Sequence, residues 1–258
     1  GIESVKPDAL ESRMRQLEMY HSQRVLTGAW PILRIDGRNF SKLTEKNFEK
    51  PFDLGFHQAM VKAASRLLEE MHALYVYTES DEISVLLDRH SRLFDREQEK
   101  LVSISAATAS ATLSLVFGQE VHCDSRLCVA ANPELVVDYF QWRQADASRC
   151  CLNGWCYWKL RQEGLSVGEA TRQLHGRNFS WKNEMLFQRG LNFNDFPGWQ
   201  KRGSGIYWQN YEKVGRNPLT GEEARAVRRR VFCDENLPLG DAYSSMLGRL
   251  LAAPEGTV

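Results

Sequence analysis

The chain has 258 residues, with 33 Lys and Arg against 33 Asp and Glu, so it carries no formal net charge. That length accommodates one large domain, or a core domain with an added part. Zero net charge excludes tight nucleic-acid binding by bulk electrostatics and leaves any RNA to a local basic patch.

The six cysteines (Cys123, Cys128, Cys150, Cys151, Cys156, Cys233) form no Cys-x-x-Cys pair and match no usual zinc spacing. They read as reduced thiols of a cytoplasmic protein. Lys6, Glu11, Arg13 and Arg15 interrupt any apolar run near the start, so no secretory leader is expected there.

In chain order, residues 7–25 carry the pattern of an amphipathic helix and 30–36 that of a buried strand. Residues 54–71 read as a helix, 73–78 as a strand, 79–82 as a polar turn and 83–87 as a returning strand. A long helix follows over 96–117 and a strand over 126–131. The run 101–117 is too short and too hydroxylated for a bilayer span, which needs about 20 mainly apolar residues, so no membrane partner is expected. The order β-α-β-β-α-β predicts an α+β, ferredoxin-like sheet whose first and third strands are central neighbours.

Beyond it, helices are expected over 133–163, over 166–174 with Ser166 as cap and Glu169 three residues on, and over 181–188. The aromatics Tyr139, Phe140 and Trp142 read as helix packing. Residues 203–232 switch to strands around an Asn217-Pro218-Leu219-Thr220-Gly221 turn, and the second arm carries Arg225, Arg228, Arg229 and Arg230. Such a basic β-hairpin suits a phosphate backbone. The tail beyond residue 251, with Pro254 and Gly256, is expected to be disordered.

In that topology the end of the first strand and the turn between the second and third meet at one sheet edge. Asp36 and Asp81 therefore converge, although each alone would pass for a turn residue. Paired carboxylates of this kind hold two Mg²⁺ ions against a triphosphate. Gly37 permits close backbone approach, the amides after it form a candidate phosphate nest, and Arg38 stands beside them. Arg96 and Lys100, four apart on a predicted helix, share a face that would reach a triphosphate.

Six phrases carry a resemblance: Asp36-Gly37-Arg38-Asn39-Phe40-Ser41; Phe48-Glu49-Lys50-Pro51; Tyr77-Thr78-Glu79-Ser80-Asp81-Glu82-Ile83-Ser84; Asp124-Ser125-Arg126; Asp138-Tyr139-Phe140-Gln141-Trp142-Arg143-Gln144-Ala145-Asp146; and Lys182-Asn183-Glu184. In this order, from about residue 12 to 208, they resemble the tRNA-histidine guanylyltransferase family and its guanylyltransferase-like relatives. The resemblance implies a polymerase palm over 1–132, including the N-terminal helix. It also implies a helical and β-hairpin extension over 133–258, packed on the palm and contacting tRNA.

The implied chemistry is 3′-to-5′ growth of tRNA. A 5′-monophosphate end is activated with ATP, and the 3′-hydroxyl of an incoming nucleotide, usually GTP, then displaces AMP. The implied metal ligands for two Mg²⁺ are Asp36, the Gly37 carbonyl and Asp81, with Glu82 as a supporting catalytic carboxylate. Gly37, Arg38, Asn39, Phe40, Ser41, Arg96 and Lys100 are the nucleotide-binding candidates. Arg126, Lys182, Asn183, Arg225, Arg228, Arg229 and Arg230 are the RNA-binding ones. A homo-oligomer, dimer or tetramer, is also implied.

One departure bears on substrate. Enzymes that add the extra guanosine carry a His-Ile-Asn-Asn segment shortly after the Gln-Ala-Asp phrase; here Ala147-Ser148-Arg149-Cys150-Cys151 follows Asp146. This favours the template-dependent branch that repairs 5′-truncated tRNA over tRNA-histidine guanosine addition. A palm-fold nucleotide cyclase and a non-catalytic RNA-binding protein are the readings from other classes.

Overall fold

A computed structural model describes residues 7–252. Lys6 and the tail residues Pro254 and Gly256 lie outside the described residues.

The centre is a sheet in the order β4-β1-β3-β2-β5-β6. Its first four strands are β1 (Trp30–Gly37), β2 (Tyr75–Glu79), β3 (Glu82–Leu86) and β4 (Cys123–Ala130); β5 (Ser204–Arg216) and β6 (Glu223–Asp234) extend it. Neighbours are antiparallel throughout, and β1 lies beside β3 as the ferredoxin-like plan requires.

Both faces of the sheet are covered, which is why its inner strands are apolar at successive positions rather than alternate ones. Leu33, Ile35, Ile83 and Val85 face α3 (Leu54–Glu70) and α4 (Gln98–Phe117). Trp30, Ile32, Tyr75 and Tyr77 face the first half of α5 (Pro133–Gln162), on which the short α8 (Gly198–Arg202) also packs, and α9 (Gly240–Leu251). Full burial of a side chain such as Leu33 contributes about 1.5–3 kcal/mol. A third cluster joins the second half of α5 to α6 (Val167–Leu174) and α7 (Phe179–Phe187) through Leu152, Cys156, Leu160, Leu174 and Leu186.

Local chemistry sets the boundaries. The Asp53 side chain accepts from Phe56 N–H at 2.8 Å and starts α3. Asn132 caps α5 with Pro133 in its first turn, and Ser166 and Glu169 form the expected capping box. Gly203 has φ +71, and a Cβ there would lie 2.3 Å from the Tyr77 hydroxyl, so only glycine admits β5 to the sheet at this point.

Several boundaries differ from the sequence reading. The N-terminal helix α1 (Pro7–Arg15) is short, and a 3₁₀ segment Gln16–Ser22 follows, because no residue there is buried and no packing sustains the longer helix. The first crossover contains an additional short helix, α2 (Phe40–Asn47), and the last strand of the palm begins at Cys123. Helix α4 begins at Gln98 rather than at residue 96, and α9 was not foreseen. The sheet also runs through the expected boundary after residue 132, since β5 pairs directly with β2 at Val76↔Ile206 and Thr78↔Ser204.

By length and composition, α4 is apolar enough to cross a membrane. Here it packs against α3 and β4 through Leu101, Ser105, Ala109 and Leu113.

Candidate active site at the strand-end carboxylates

The register of β1 puts Asp36 opposite Glu82 on one side and Asp124 on the other. Directly opposed residues share a sheet face. The Gly37 N–H donates to the Asp81 carbonyl at 3.1 Å, which ties the strand end to the β2–β3 turn. A Cβ on Gly37 would fall 2.5 Å from the Phe40 ring, so the position tolerates nothing larger.

Burial raises the Asp81 carboxyl above the usual carboxylate range, and the neighbouring Asp36 charge adds to the shift. Two hard carboxylates and the Gly37 carbonyl are the donor chemistry that suits Mg²⁺, with water completing the shell. Among the described residues no group of three or more His, Cys, Asp or Glu is arranged to hold a metal ion, so the backbone oxygen is needed in that set.

Glu82, expected as a supporting carboxylate, is engaged by arginines. Its two oxygens accept from Arg143 Nε at 2.8 Å and Nη2 at 2.9 Å, and Arg34 Nε lies 3.8 Å away. It is a buried, salt-bridged carboxylate that supports the turn. Arg126 Nη2 approaches Asp36 Oδ2 at 3.7 Å, and Arg34 Nε comes to 4.0 Å from the same oxygen.

Beside Asp81 opens a cleft of about 370 Å³. Phe48, Phe52, Phe56, Tyr157, Trp158 and Trp199 line it. Lys50 reaches across, donating to Thr44 Oγ1 at 2.7 Å with its ammonium 5.7 Å from the Trp158 ring centre. Burial lowers the Lys50 ammonium below its ordinary value, while Glu45 and Asp81 pull it back up. An aromatic wall with the Lys50 ammonium beside it suits a flat base joined to a polyphosphate, and the acidic residues Glu45, Glu49, Asp53, Glu79 and Asp81 that also line the cleft require cations to accompany the phosphates. The lining also includes Ala147, Cys150 and Cys151, from the segment that follows Gln144-Ala145-Asp146.

The family profile described as tRNAHis guanylyltransferase matches residues 11–140, and the one described as Thg1 C terminal domain matches 134–234. A probable tRNA(His) guanylyltransferase from Dictyostelium discoideum is 33% identical over 79% of this chain and 85% of its own. The mouse protein of the same description is 30% identical over 84% of this chain and 80% of its own. The chain belongs to the tRNA(His) guanylyltransferase family. It is therefore a nucleotidyltransferase by family.

A solved bacterial tRNA(His) guanylyltransferase (Thg1)-like protein in complex with ATP superposes on this family member with TM-score 0.76 at 26% identity, covering 94% of this chain and 98% of that one. The GTP complex gives TM-score 0.73 at 27% identity, covering 95% and 100%.

Not every predicted nucleotide contact of this guanylyltransferase-family chain survives in the structure. Arg96 is buried, with φ +62, and all five of its guanidinium N–H bonds are spent on the carbonyls of Val25, Leu26, Arg89, Ser91 and Ala29. It is a loop staple with no donor left for a phosphate. Because α4 starts two residues after it, Arg96 and Lys100 do not share a helical face. Lys100 is exposed, 3.8 Å from Glu97.

The nest is shorter than expected as well. The Gly37 and Arg38 amides are taken by the Asp81 and His122 carbonyls. That leaves Asn39, at φ +57, with Phe40 and Ser41 as the opening N–H groups of α2; Arg38 itself is exposed.

Among the RNA candidates, Asn183 donates to the Phe179 carbonyl within α7, beside a half-buried Lys182. The ribbon arginines divide between its faces. Arg228 and Arg230 lie with Tyr211 and Gln209, whereas Arg225 and Arg229 lie on the side of Trp208. Of the aromatics near the start of α5, Phe140 is fully buried and Tyr139 bonds to Ser84 Oγ at 2.8 Å, but Trp142 is 52% exposed against Arg143 and Arg34. Lys50 and the aromatic cleft were not singled out as site residues from sequence, although the Phe48-Glu49-Lys50-Pro51 phrase was itself the signal.

Proposed function

We propose that this chain is a template-dependent 3′-to-5′ nucleotidyltransferase that activates and extends the 5′ end of tRNA and so repairs 5′-truncated tRNA. The observation that carries this reading is the aromatic cleft opening directly onto Asp81. Its wall bears Ala147, Cys150 and Cys151 where guanosine-adding relatives carry the His-Ile-Asn-Asn segment. Binding of ATP and GTP by the two similar bacterial structures supports the nucleotide part.

In this reading Asp36, the Gly37 carbonyl and Asp81 hold two Mg²⁺ ions, which when bound activate an attacking oxygen and stabilise the leaving one. The cleft holds the base of ATP, and Lys50 meets its phosphates. In activation, a 5′-phosphate oxygen of the RNA bonds to the α-phosphorus of ATP and the α–β bond breaks, releasing pyrophosphate. In addition, the 3′-oxygen of the incoming nucleotide bonds to the 5′-phosphorus of the RNA. The bridging P–O bond breaks, AMP leaves, and the hydroxyl proton passes to solvent. Arg126, beside Asp36, is placed to meet the RNA terminus, while Lys182 and the ribbon arginines contact its backbone.

The functional unit in this reading is a homo-oligomer. The segment α1 and its 3₁₀ continuation bury no side chain of their own, and Leu17 is 73% exposed there. Leu115 on α4 is 85% exposed as well. Apolar surface of this extent is what a second subunit covers. Six free cysteines agree with a reducing, cytoplasmic setting.

The test is extension of a tRNA lacking its first nucleotide, beside the full-length tRNA, with Mg²⁺, ATP and each nucleotide in turn. Addition only of the nucleotide complementary to the opposite strand, and only on the truncated RNA, supports repair. Guanosine added to full-length tRNA-histidine assigns the other branch. A cyclic nucleotide formed without RNA, or RNA binding without turnover, overturns the proposal.

A further inference from the structure

Arg143, on α5, is 7% exposed, and three carboxylates surround it. Its Nε and Nη2 take the two oxygens of Glu82 at 2.8 and 2.9 Å; Nη2 also meets Glu79 Oε1 at 3.2 Å and Asp146 Oδ2 at 2.8 Å. The Trp142 ring centre lies 4.3 Å from its guanidinium carbon.

Glu79 closes β2, Glu82 opens β3, and the two are a cross-strand pair. Only Ser80 and Asp81 lie between them, with Ser80 held at φ +48, a conformation that side chains other than glycine seldom adopt. Arg143 thus grips both legs of the tight turn that presents Asp81. It has no bond of its own to Asp36 or Asp81.

We propose that Arg143 is a positioning residue for nucleotidyl transfer: its guanidinium clamps Glu79 and Glu82 from one side and so fixes Asp81 against the end of β1, where Asp36 waits. This rests on the reading of Asp36 and Asp81 as the metal-holding pair. Without the guanidinium, the buried carboxyl groups of Glu79 and Glu82 lose the donor that joins them, and the side-chain tie between the two legs of the turn is gone. A lysine keeps the charge but lacks the planar fork that meets both glutamates together. Thr78, Glu79, Ser80 and Asp81 also line the cleft, but its aromatic wall is built from Phe48, Phe52, Phe56, Tyr157, Trp158 and Trp199, none of which Arg143 holds, so base binding is expected to change less than metal binding.

The experiment compares Arg143→Lys and Glu79→Gln with the parent. It measures Mn²⁺ binding by electron paramagnetic resonance without nucleotide, thermal melting, and kcat and KM for ATP over a range of Mg²⁺. Arg143→Lys is expected to melt close to the parent and to bind Mn²⁺ ~10- to 100-fold more weakly. Its kcat should fall by a similar factor and recover in part at high Mg²⁺, with KM for ATP within about threefold.

Mn²⁺ affinity and kcat within about twofold of the parent overturn the proposal, as does a loss that follows only the unfolded fraction. If Arg143→Lys does not fold, Glu79→Gln decides, because it loosens one leg and leaves the Arg143–Glu82 pair in place. Weaker Mn²⁺ binding with an intact melt supports the clamp, and unchanged binding removes it. Undiminished Mn²⁺ binding by Asp81→Ala would instead defeat the metal-pair reading, whatever Arg143 does.

Discussion

The carboxylate edge of the sheet and the β5–β6 ribbon are opposites in construction. At the edge, Asp36, Asp81, Glu82 and Arg143 come from three elements and are held by buried bonds and a glycine with no spare room. Along the ribbon, residues 210–230 are exposed on both faces, and the cations stand on two strands with little beneath them. The first arrangement constrains the geometry of its carboxylates, as bond-making requires. The second presents charge, which attracts a polyanion without needing one geometry. Chemistry and capture should therefore separate on mutation.

The sharpest break is at the pair itself. Asp36→Ala or Asp81→Ala should reduce both activation and nucleotide addition by ~10³-fold or more, about 4 kcal/mol of barrier, while tRNA affinity at fixed salt stays near the parent value. Separate assays of adenylylated RNA and of extended product check this. Normal rates for either variant would end the catalytic assignment of that edge.

Next in size is the cleft. Lys50→Ala removes the cation that spans it between Thr44 and Trp158, and should raise KM for ATP by ~10-fold or more with a smaller change in tRNA binding. An unchanged KM would mean that the triphosphate lies elsewhere. Gly37→Ala tests the same edge by packing: with a Cβ 2.5 Å from the Phe40 ring, a loss of about 1–3 kcal/mol in chemical unfolding is expected.

Much of the edge was legible in the chain because topology does not depend on fine boundaries. Once β-α-β-β-α-β is read, Asp36 and Asp81 meet whether the first helix ends at residue 15 or 25. Arg96 shows the limit. Its reading needed a helix that begins two residues earlier than it does, and a local φ of +62 turns the same side chain inward to five carbonyls. The nest failed in part for a related reason, since the Gly37 and Arg38 amides find partners in Asp81 and His122, contacts that spacing does not reveal. The cleft is the other gap. Its wall joins residues 40–60 to 147–158 and 199–200, and no periodicity in the chain announces that meeting.

The ribbon gives the next smaller effect. Arg228→Ala should weaken tRNA binding at low salt and reduce the slope of log affinity against log salt by about 1, leaving kcat at saturating RNA near the parent value. A changed kcat would erase the contrast between the two regions.

The smallest effect is expected at His57, which links the cleft to the end of β6. The ring stacks on Trp199 at 4.1 Å between centroids, and its Nε2 meets Glu235 Oε1 at 2.8 Å. Burial holds its pKa below the ordinary histidine value, against the opposing pull of Glu235. The folded chain therefore binds this proton less readily than the unfolded chain. The neutral ring's contribution is present above the unfolded pKa, near 6.5, and is lost as pH falls through the folded value. His57→Gln keeps an amide donor toward Glu235 and does not titrate. Urea unfolding at pH 7.5 and again near pH 5 should show the variant losing less stability on acidification than the parent. Equal losses would mean that the proton enters at another group, and that the His57–Glu235 contact joins cleft and ribbon without sensing pH.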